Sequence, residues 1–257
     1  KGFAHGGSRQ WVLRDVDLEV KPGEFVSLIG HSGCGKSTLL NVLGGLTTAD
    51  AGEVRLDGEV VAGPSPDRAM VFQSYSLLPR LSLVRNVHAA VRSARRDWAA
   101  DKVDATAERY LHGVGLWEHR DKRPHQLSGG MQQRCAVARA FAVEPRVLLL
   151  DEPFGALDAL TRARLQAQLI DLWSSESETE MVVMVTHGID EAILLSDRVV
   201  VMSNPPGRSV SAVIPVEIPR PRDRVSVIDD PHFRDVQTEL LALLYRDQAR
   251  EVEGAVA

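Results

Sequence analysis

Cysteine is scarce in this chain: Cys34 and Cys135 are the only two in 257 residues, too few for a disulfide framework, so a reducing compartment is the expected setting. No apolar run approaches the roughly 20 residues that a membrane-spanning helix requires, and the N-terminus lacks the charged-then-apolar pattern of a secretion signal. A soluble, intracellular chain is therefore expected. It begins at Lys1 without a methionine, inside what reads as an edge-strand region, and native N-terminal sequence is expected to be missing. Basic excess is absent too, with 30 Lys and Arg against 35 Asp and Glu and a net charge of -5. A polyanionic partner rewards clustered cations, so nucleic acid is not an expected partner. The basic clusters are short: Arg92, Arg95 and Arg96 fall among alanines, and Arg120, Lys122 and Arg123 alternate with Asp121. Both read as solvated helix and loop faces. No internal repeat or low-complexity segment is visible. What remains, 44% apolar and 25% charged, suits one large α/β domain or one domain carrying a subdomain.

Against that background one loop stands out. Gly30-His31-Ser32-Gly33-Cys34-Gly35-Lys36-Ser37-Thr38 matches G-x-x-x-x-G-K-[ST] and sits between a strand-like run, Phe25 to Ile29, and a helix-like run from Ser37 to Leu43. Backbone N–H groups and the positive end of a helix then converge on one point, which suits polyphosphate. Glycines at 30, 33 and 35 let the backbone wrap tightly. Lys36 can reach the β- and γ-phosphates, and the Ser37 hydroxyl can ligate Mg²⁺. Cys34 lies beside Lys36 at a helix N-terminus, where a thiolate is favoured, so alkylation is expected to block the loop.

Three apolar runs end in residues with phosphate or acid–base chemistry: Phe25 to Ile29 into Gly30, Val147 to Leu150 into Asp151 and Glu152, and Met181 to Thr186 into His187. Continuous apolar character marks strands buried on both faces of a largely parallel sheet, whose ligands gather at the strands' C-terminal ends. One nucleotide site is expected to collect all three. A crossover helix reads from Asp158 onward, with Leu165, Leu169, Leu172 and Trp173 at helical spacing. Alternation from Trp11 to Val20, then Pro22-Gly23, predicts a half-exposed strand and turn, and Gly52 to Gly58 a second short one. These imply a small antiparallel sheet beside the main one. Residues from about 76 to 142 read as a helical insertion, with Leu83, Val84, Val87 and Val91 on one stripe and Val103, Ala107, Tyr110 and Leu111 on another. After Asn204-Pro205-Pro206-Gly207 the chain alternates through Val210, Ala212, Ile214 and Val216, then passes Pro219-Arg220-Pro221-Arg222. Asp230 and Pro231 open a last helix, with Phe233, Val236, Leu240 and Leu244 on one face.

A further block, Gln126-Leu127-Ser128-Gly129-Gly130-Met131-Gln132-Gln133-Arg134, offers a capping serine and two glycines before a good helix, another anion-binding design. With the phosphate loop and Leu148-Leu149-Leu150-Asp151-Glu152-Pro153, it resembles the signature of ATP-binding cassette (ABC) ATPases over essentially the whole chain. The resemblance implies a P-loop NTPase (RecA-like) α/β core with a mostly parallel sheet, a flanking antiparallel β-subdomain and an inserted α-helical subdomain. Residues 1–75 and 143–220 would form the core, 76–142 the helical part and 221–257 the tail helix. By resemblance, Gly30 to Thr38 is the Walker A loop that binds ATP, and Asp151 holds Mg²⁺ through water together with Ser37. Glu152 is the catalytic carboxylate. Gln73, in Met70-Val71-Phe72-Gln73, matches the Q-loop that senses metal and water, and His187 the switch histidine on the γ-phosphate. Asp158, in Gly155-Ala156-Leu157-Asp158, matches the D-loop, which touches a second subunit. The adenine-stacking aromatic is Phe3, where the family's N-terminal aromatic is expected, with Trp11 as competitor. Gly188 stands where many relatives carry Asp, which bears on the positioning of the His187 loop.

The resemblance also implies partners. Two cassettes, identical or paralogous, would stack head to tail, with Ser128, Gly129 and Gly130 of one closing on the γ-phosphate held by Lys36 of the other. Ser74 to Leu81 exposes apolar residues suited to a short helix of a membrane permease subunit. Such a chain works at the cytoplasmic face of the membrane, served by an extracytoplasmic solute-binding protein. Leu77-Leu78-Pro79, Ile189-Asp190-Glu191-Ala192 and Met202 to Gly207 look like the importer branch for nitrate, sulfonates and taurine, and Gly30 to Gly35 with Ile218 to Arg224 tilts toward nitrate, nitrite or cyanate members. The rival readings are an exporter subunit and a cytosolic ABC ATPase acting on ribosomes or DNA. The latter usually carries two cassettes or a long coiled-coil insertion, neither of which is seen here.

Overall fold

The computed structural model describes residues 1–5, 8–174, 177–204, 207–220 and 222–256. Pro205, Pro206 and Pro221, part of the two expected turn segments, lie outside the described residues. The chain gathers into two bodies, 1–64 with 183–257, and 65–182.

The first body starts with a hairpin, β1 (Gly2–His5) against β2 (Ser8–Trp11). The strand expected from Trp11 to Val20 stops at Trp11. Beyond it the Val12 and Leu13 N–H groups both donate to the Lys1 carbonyl (2.9 and 3.0 Å), and Asp15 takes a left-handed φ of 49°, so the alternating residues never form a ladder. Strand β3 (Phe25–Gly30) is buried at all six positions, as its unbroken apolar run predicts. Helix α1 (Lys36–Leu43) follows the glycine loop. A second hairpin joins β4 (Arg55–Leu56) to β5 (Glu59–Val60). Asp57 and Gly58 both have positive φ, 51° and 80°, which a two-residue turn of this kind requires.

The second body begins with β6 (Arg68–Val71), then α2 (Leu83–Ala94), α3 (Ala100–Gly113) and α4 (Gly129–Ala142). The predicted stripes are the packed faces. Leu83, Val87 and Val91 are fully buried and Val84 is half-buried, and Tyr110 stacks on Phe141 with ring centroids 6.1 Å apart. Arg95 is not solvated as expected: its guanidinium donates to the carbonyls of Val143 and Glu144 (3.0 and 2.7 Å), just past the end of α4. Those groups have no intrahelical donor, and a cation suits a helix C-terminus. Strand β7 (Val147–Asp151) pairs in parallel with β6, Val71 opposite Leu150. Helix α5 (Ala159–Ser174) buries Leu165, Leu169, Leu172 and Trp173, the last donating its indole N–H to Thr179 (3.1 Å).

Strand β8 (Met181–Val185) carries the chain back into the first body, which ends with α6 (Ile189–Leu195), β9 (Arg198–Met202), β10 (Val210–Pro215) and α7 (Pro231–Val256). Here β9 runs parallel to β3 and antiparallel to β10. Asp230 caps α7 by accepting the His232 N–H (2.8 Å). Phe233, Val236 and Leu240 are 3%, 3% and 0% exposed and close a core with Ile29, Val199 and Ile214. Each such burial is worth about 1.5–3 kcal/mol against exposure.

Arg222 clasps this corner. Its guanidinium donates to the carbonyls of Ile193 (2.6 Å) and Ser196 (2.6 Å) at the end of α6, and to Val216 (3.2 Å) and Ile218 (2.9 Å). Arg222→Met would strand several part-buried carbonyls at once. A loss of about 3 kcal/mol in urea-unfolding stability is expected, and a change below about 1 kcal/mol would show that the clasp is replaceable by water.

Candidate functional site

In the first body, β3 delivers the chain into a loop that folds back on its own lysine. Lys36 is 6% exposed, and its ammonium donates to the carbonyls of Gly30 (2.8 Å) and His31 (2.9 Å), with Cys34 Sγ at 3.8 Å. All three are neutral, so no carboxylate stands among the described hydrogen-bond partners of the ammonium. Gly30, Gly33 and Gly35 have φ of 155°, 88° and 96°. A Cβ on Gly35 would stand 2.7 Å from Leu13 Cδ2, and one on Gly30 would collide with the Met202 carbonyl, whereas one on Gly33 would meet nothing. Packing therefore dictates two of the glycines and backbone conformation the third. His31 donates from Nε2 to the Leu244 carbonyl (2.9 Å), tying the loop to α7.

His187 belongs to the same edge. Thr186, one residue past β8, donates its N–H to Leu28 of β3 (3.2 Å), and His187 follows it exposed. Gly188 caps α6 with φ of -88°, donating to Thr186 Oγ1 (3.0 Å), and Thr186 donates in turn to Glu191. A Cβ at 188 would stand 3.2 Å from Glu191 Cβ, so a side chain there requires a small shift of Glu191.

The aromatic pair is separated by the hairpin. Phe3 pairs with Gln10 and Trp11 with Gly2, so the two rings lie on opposite faces of a two-stranded ribbon. Both are partly exposed, at 46% and 41%, with Lys1 over Phe3 (5.3 Å) and Arg9 over Trp11 (5.0 Å).

In the second body, register brings Gln73 and Glu152 together. Val71 pairs with Leu150, so two steps further along parallel strands Gln73 falls beside Glu152, and Gln73 Nε2 donates to Glu152 Oε2 at 3.1 Å. Glu152 turns the chain at φ of 47° and is half-buried, as is Asp151. Ser128 caps α4, its Oγ accepting the Met131 N–H (3.3 Å). Gly129 and Gly130 lie in the first turn, where a Cβ would come within 2.9 Å of the Tyr75 hydroxyl and 2.8 Å of Thr161 Cγ2 respectively. Asp158 caps α5 through the Thr161 N–H (3.0 Å), and that bond holds its carboxyl below the usual range. Of the expected docking residues, Leu78 is 47% exposed while Leu77 and Leu81 are half-buried. Sequence reasoning missed Asn86, fully buried, which accepts the Leu78 N–H (2.7 Å) and donates to its carbonyl (3.2 Å). A lone amide in the apolar stripe of α2 was the available signal.

A glycine loop closing a buried strand, with a helix beginning at its lysine, defines a P-loop nucleotide-binding fold. A family model described as ABC transporter matches residues 13–155, and the chain belongs to that family. Nitrate import ATP-binding protein NrtD of Synechococcus elongatus is 48% identical over 239 residues, covering 93% of this chain and 86% of the relative. Bicarbonate transport ATP-binding protein CmpC of the same species is also 48% identical over 239 residues and 93% of this chain, but the chain spans only 36% of that relative's length. A solved structure described as the dimeric post-hydrolysis state of the ATP-binding cassette MJ0796 bound to ADP and Pi is 32% identical, with a TM-score of 0.74 covering 85% of this chain and 96% of that one. The fold is accordingly a P-loop core with a mostly parallel sheet, antiparallel hairpins and inserted helices.

Both cysteines are free and buried. Burial raises the Cys34 pKa against the opposing pull of Lys36, so the expected reactive thiolate gives way to a protonated, 0% exposed thiol. Desolvation outweighs the helix end and the neighbouring cation. Cys34 should therefore alkylate with iodoacetamide at pH 8 at under about a tenth of the rate of a free cysteine. Labelling at the free-thiol rate would contradict the packed loop.

Proposed function

We propose that this chain is the ATP-hydrolysing subunit of an importer for a small anion. The observation that carries this reading is the Lys36 ammonium, buried among neutral acceptors at the start of α1. A buried cation without a counter-charge is costly, and a polyphosphate at the loop mouth supplies one. The donors fit the rest of the ligand. Gly30, His31, Ser32, Gly33, Cys34, Gly35, Ser37 and Thr38 line the cradle for the phosphates, with the Cys34 N–H bracing the loop on the His31 carbonyl (3.3 Å). Ser37 and Asp151 offer hard oxygen ligands for Mg²⁺, with Gln73 as the sensing amide. Bound Mg²⁺ supplies neutralisation of phosphate charge.

On this reading Glu152 accepts the proton of the attacking water, oriented by the amide of Gln73. Lys36 and His187 stabilise charge on the transferring phosphoryl group. For the adenine, support shifts from Phe3 to Trp11: it adjoins Val12, whose carbonyl stands 3.0 Å from the Cβ position of Gly35. Family membership supports a second cassette, identical or paralogous, whose Ser128, Gly129 and Gly130 complete the site, with Asp158 at the junction. It also supports permease subunits docked on residues 74–81, a separate solute-binding protein, and a peripheral place on the cytoplasmic face of the membrane. The core at 1–75 and 143–220, the helical part at 76–142 and the tail at 221–257 remain our division of roles. The cargo is read only as a small oxyanion. Equal identity to the nitrate and bicarbonate relatives supports nitrate and bicarbonate as anions to try, beside the nitrite, sulfonates and taurine that the sequence resemblance implies.

Phosphate-release assays test the chemistry. Glu152→Gln should bind ATP normally yet turn over at least about a hundredfold more slowly, and wild-type turnover would remove Glu152 as the base. Trp11→Ala should weaken fluorescent-nucleotide binding by about tenfold while Phe3→Ala changes it little. The reverse ranking would return the adenine to Phe3. Loss of uptake of one anion on deleting the subunit would identify the cargo.

A further inference from the structure

Tyr75 and Ser76 are consecutive non-glycine residues in the left-handed region, with φ of 55° and 49°. L side chains avoid this region because Cβ crowds the following carbonyl. A pair of them persists only where surrounding structure over-determines it. One side chain gathers both carbonyls of this turn: Arg139 Nη1 donates to Ser76 (2.7 Å) and Nη2 to Tyr75 (3.2 Å). Arg139 is the one charged residue in the run 135–142 of α4, whose other members are all buried. A planar fork with two fixed donors suits two adjacent carbonyls in a way a lysine cannot.

What lies on either side of the turn gives the clamp its significance. Two residues upstream, Gln73 holds Glu152 (3.1 Å). Within the turn, the Tyr75 hydroxyl packs 2.9 Å from the Cβ position of Gly129, next to the capping Ser128. Two residues downstream, Asn86 pins Leu78 at both its N–H and its carbonyl. The segment is thus held to the catalytic carboxylate, to the first and last turns of α4, and to α2. All of these contacts lie within the second body.

We propose that Arg139 is a positioning residue for hydrolysis: by locking the left-handed Tyr75–Ser76 turn, it sets Gln73 against Glu152 and Tyr75 against Gly129. The proposal rests on the ATPase reading above. It makes the rate of the chemical step depend on a guanidinium whose described bonds go to the Tyr75 and Ser76 carbonyls, and it leaves nucleotide binding at Lys36 untouched.

The test compares wild type, Arg139→Met, Arg139→Lys and the double variant Arg139→Met/Ser76→Gly as full chains. Phosphate release, fluorescent-nucleotide affinity, thermal midpoint and amide exchange of the peptide spanning 73–78 are measured on each. Arg139→Met should lower kcat by about tenfold to a hundredfold with nucleotide affinity within about twofold of wild type, and amide exchange at 73–78 should accelerate. Glycine takes the left-handed conformation without a clamp, so the double variant should recover at least about a third of the lost rate. An unchanged kcat, or a loss that Ser76→Gly does not relieve, overturns the proposal and leaves Arg139 a fold staple. If Arg139→Met does not fold, Arg139→Lys carries the same comparison with Ser76→Gly added. A wild-type chain that releases no phosphate while its 73–78 exchange still depends on Arg139 and on Ser76→Gly refutes the ATPase reading and retains the clamp.

Discussion

Lys36 is 6% exposed, and its ammonium is bonded to two backbone carbonyls and a thiol. Water is nearly excluded, so the charge must be solvated by the loop itself. Three left-handed or near-extended glycines turn the chain around it. Leu13, Val12 and Met202 pack so closely against Gly35 and Gly30 that a Cβ has no room at either. β3 beneath the loop is buried at every position and cannot shift to relieve the crowding. His31 adds a hydrogen bond to α7, whose Phe233, Val236 and Leu240 belong to the same core as Ile29. The cation's environment therefore propagates outward through glycine, strand and helix. A close-packed interior transmits such constraints because it lacks voids to absorb them.

The contact between Gln73 and Glu152 follows a different logic, that of register. Parallel pairing of β6 and β7 fixes Val71 against Leu150, and Gln73 and Glu152 meet because each lies two residues further on. A one-residue slip would send the amide to the other face. The apolar residues of both strands, Leu148 to Leu150 at 0% exposure and Val71 at 1%, set that register, so hydrophobic patterning ends up orienting a carboxylate.

The strongest signals in the sequence were those in which one residue type has few roles. Unbroken apolar runs became buried strands at β3, β7 and β8, and the stripes of α2 and α3 became packed faces, since burial alone decides them. Alternation was weaker evidence. From Trp11 to Val20 the pattern suits a strand, but among the described residues no strand pairs with 12–20 and Asp15 turns the chain aside. Chemical expectation failed at Cys34, where the cation and the helix end pull the thiol one way and desolvation pulls it harder the other. Arg95 and Arg139 were illegible as more than surface charges, because their acceptors are carbonyls 48 and 49, and 63 and 64, residues away. Backbone carbonyls carry no residue-specific mark, and only the fold brings them to a guanidinium.

The two bodies differ in how the chain supplies them. One is a single continuous stretch, 65–182, while the other is assembled from 1–64 and 183–257. During synthesis the continuous body has all of its contacts available once residue 182 has emerged. β9, which pairs with β3, and α7, which holds His31, are made long after the phosphate loop, with Leu244 lying 213 residues beyond His31. Domains fold as units while the chain grows, so the nascent loop must wait some 170 residues with its strand unpaired on that edge and its apolar face open. An unpaired strand edge during that interval is a cost imposed by chain order.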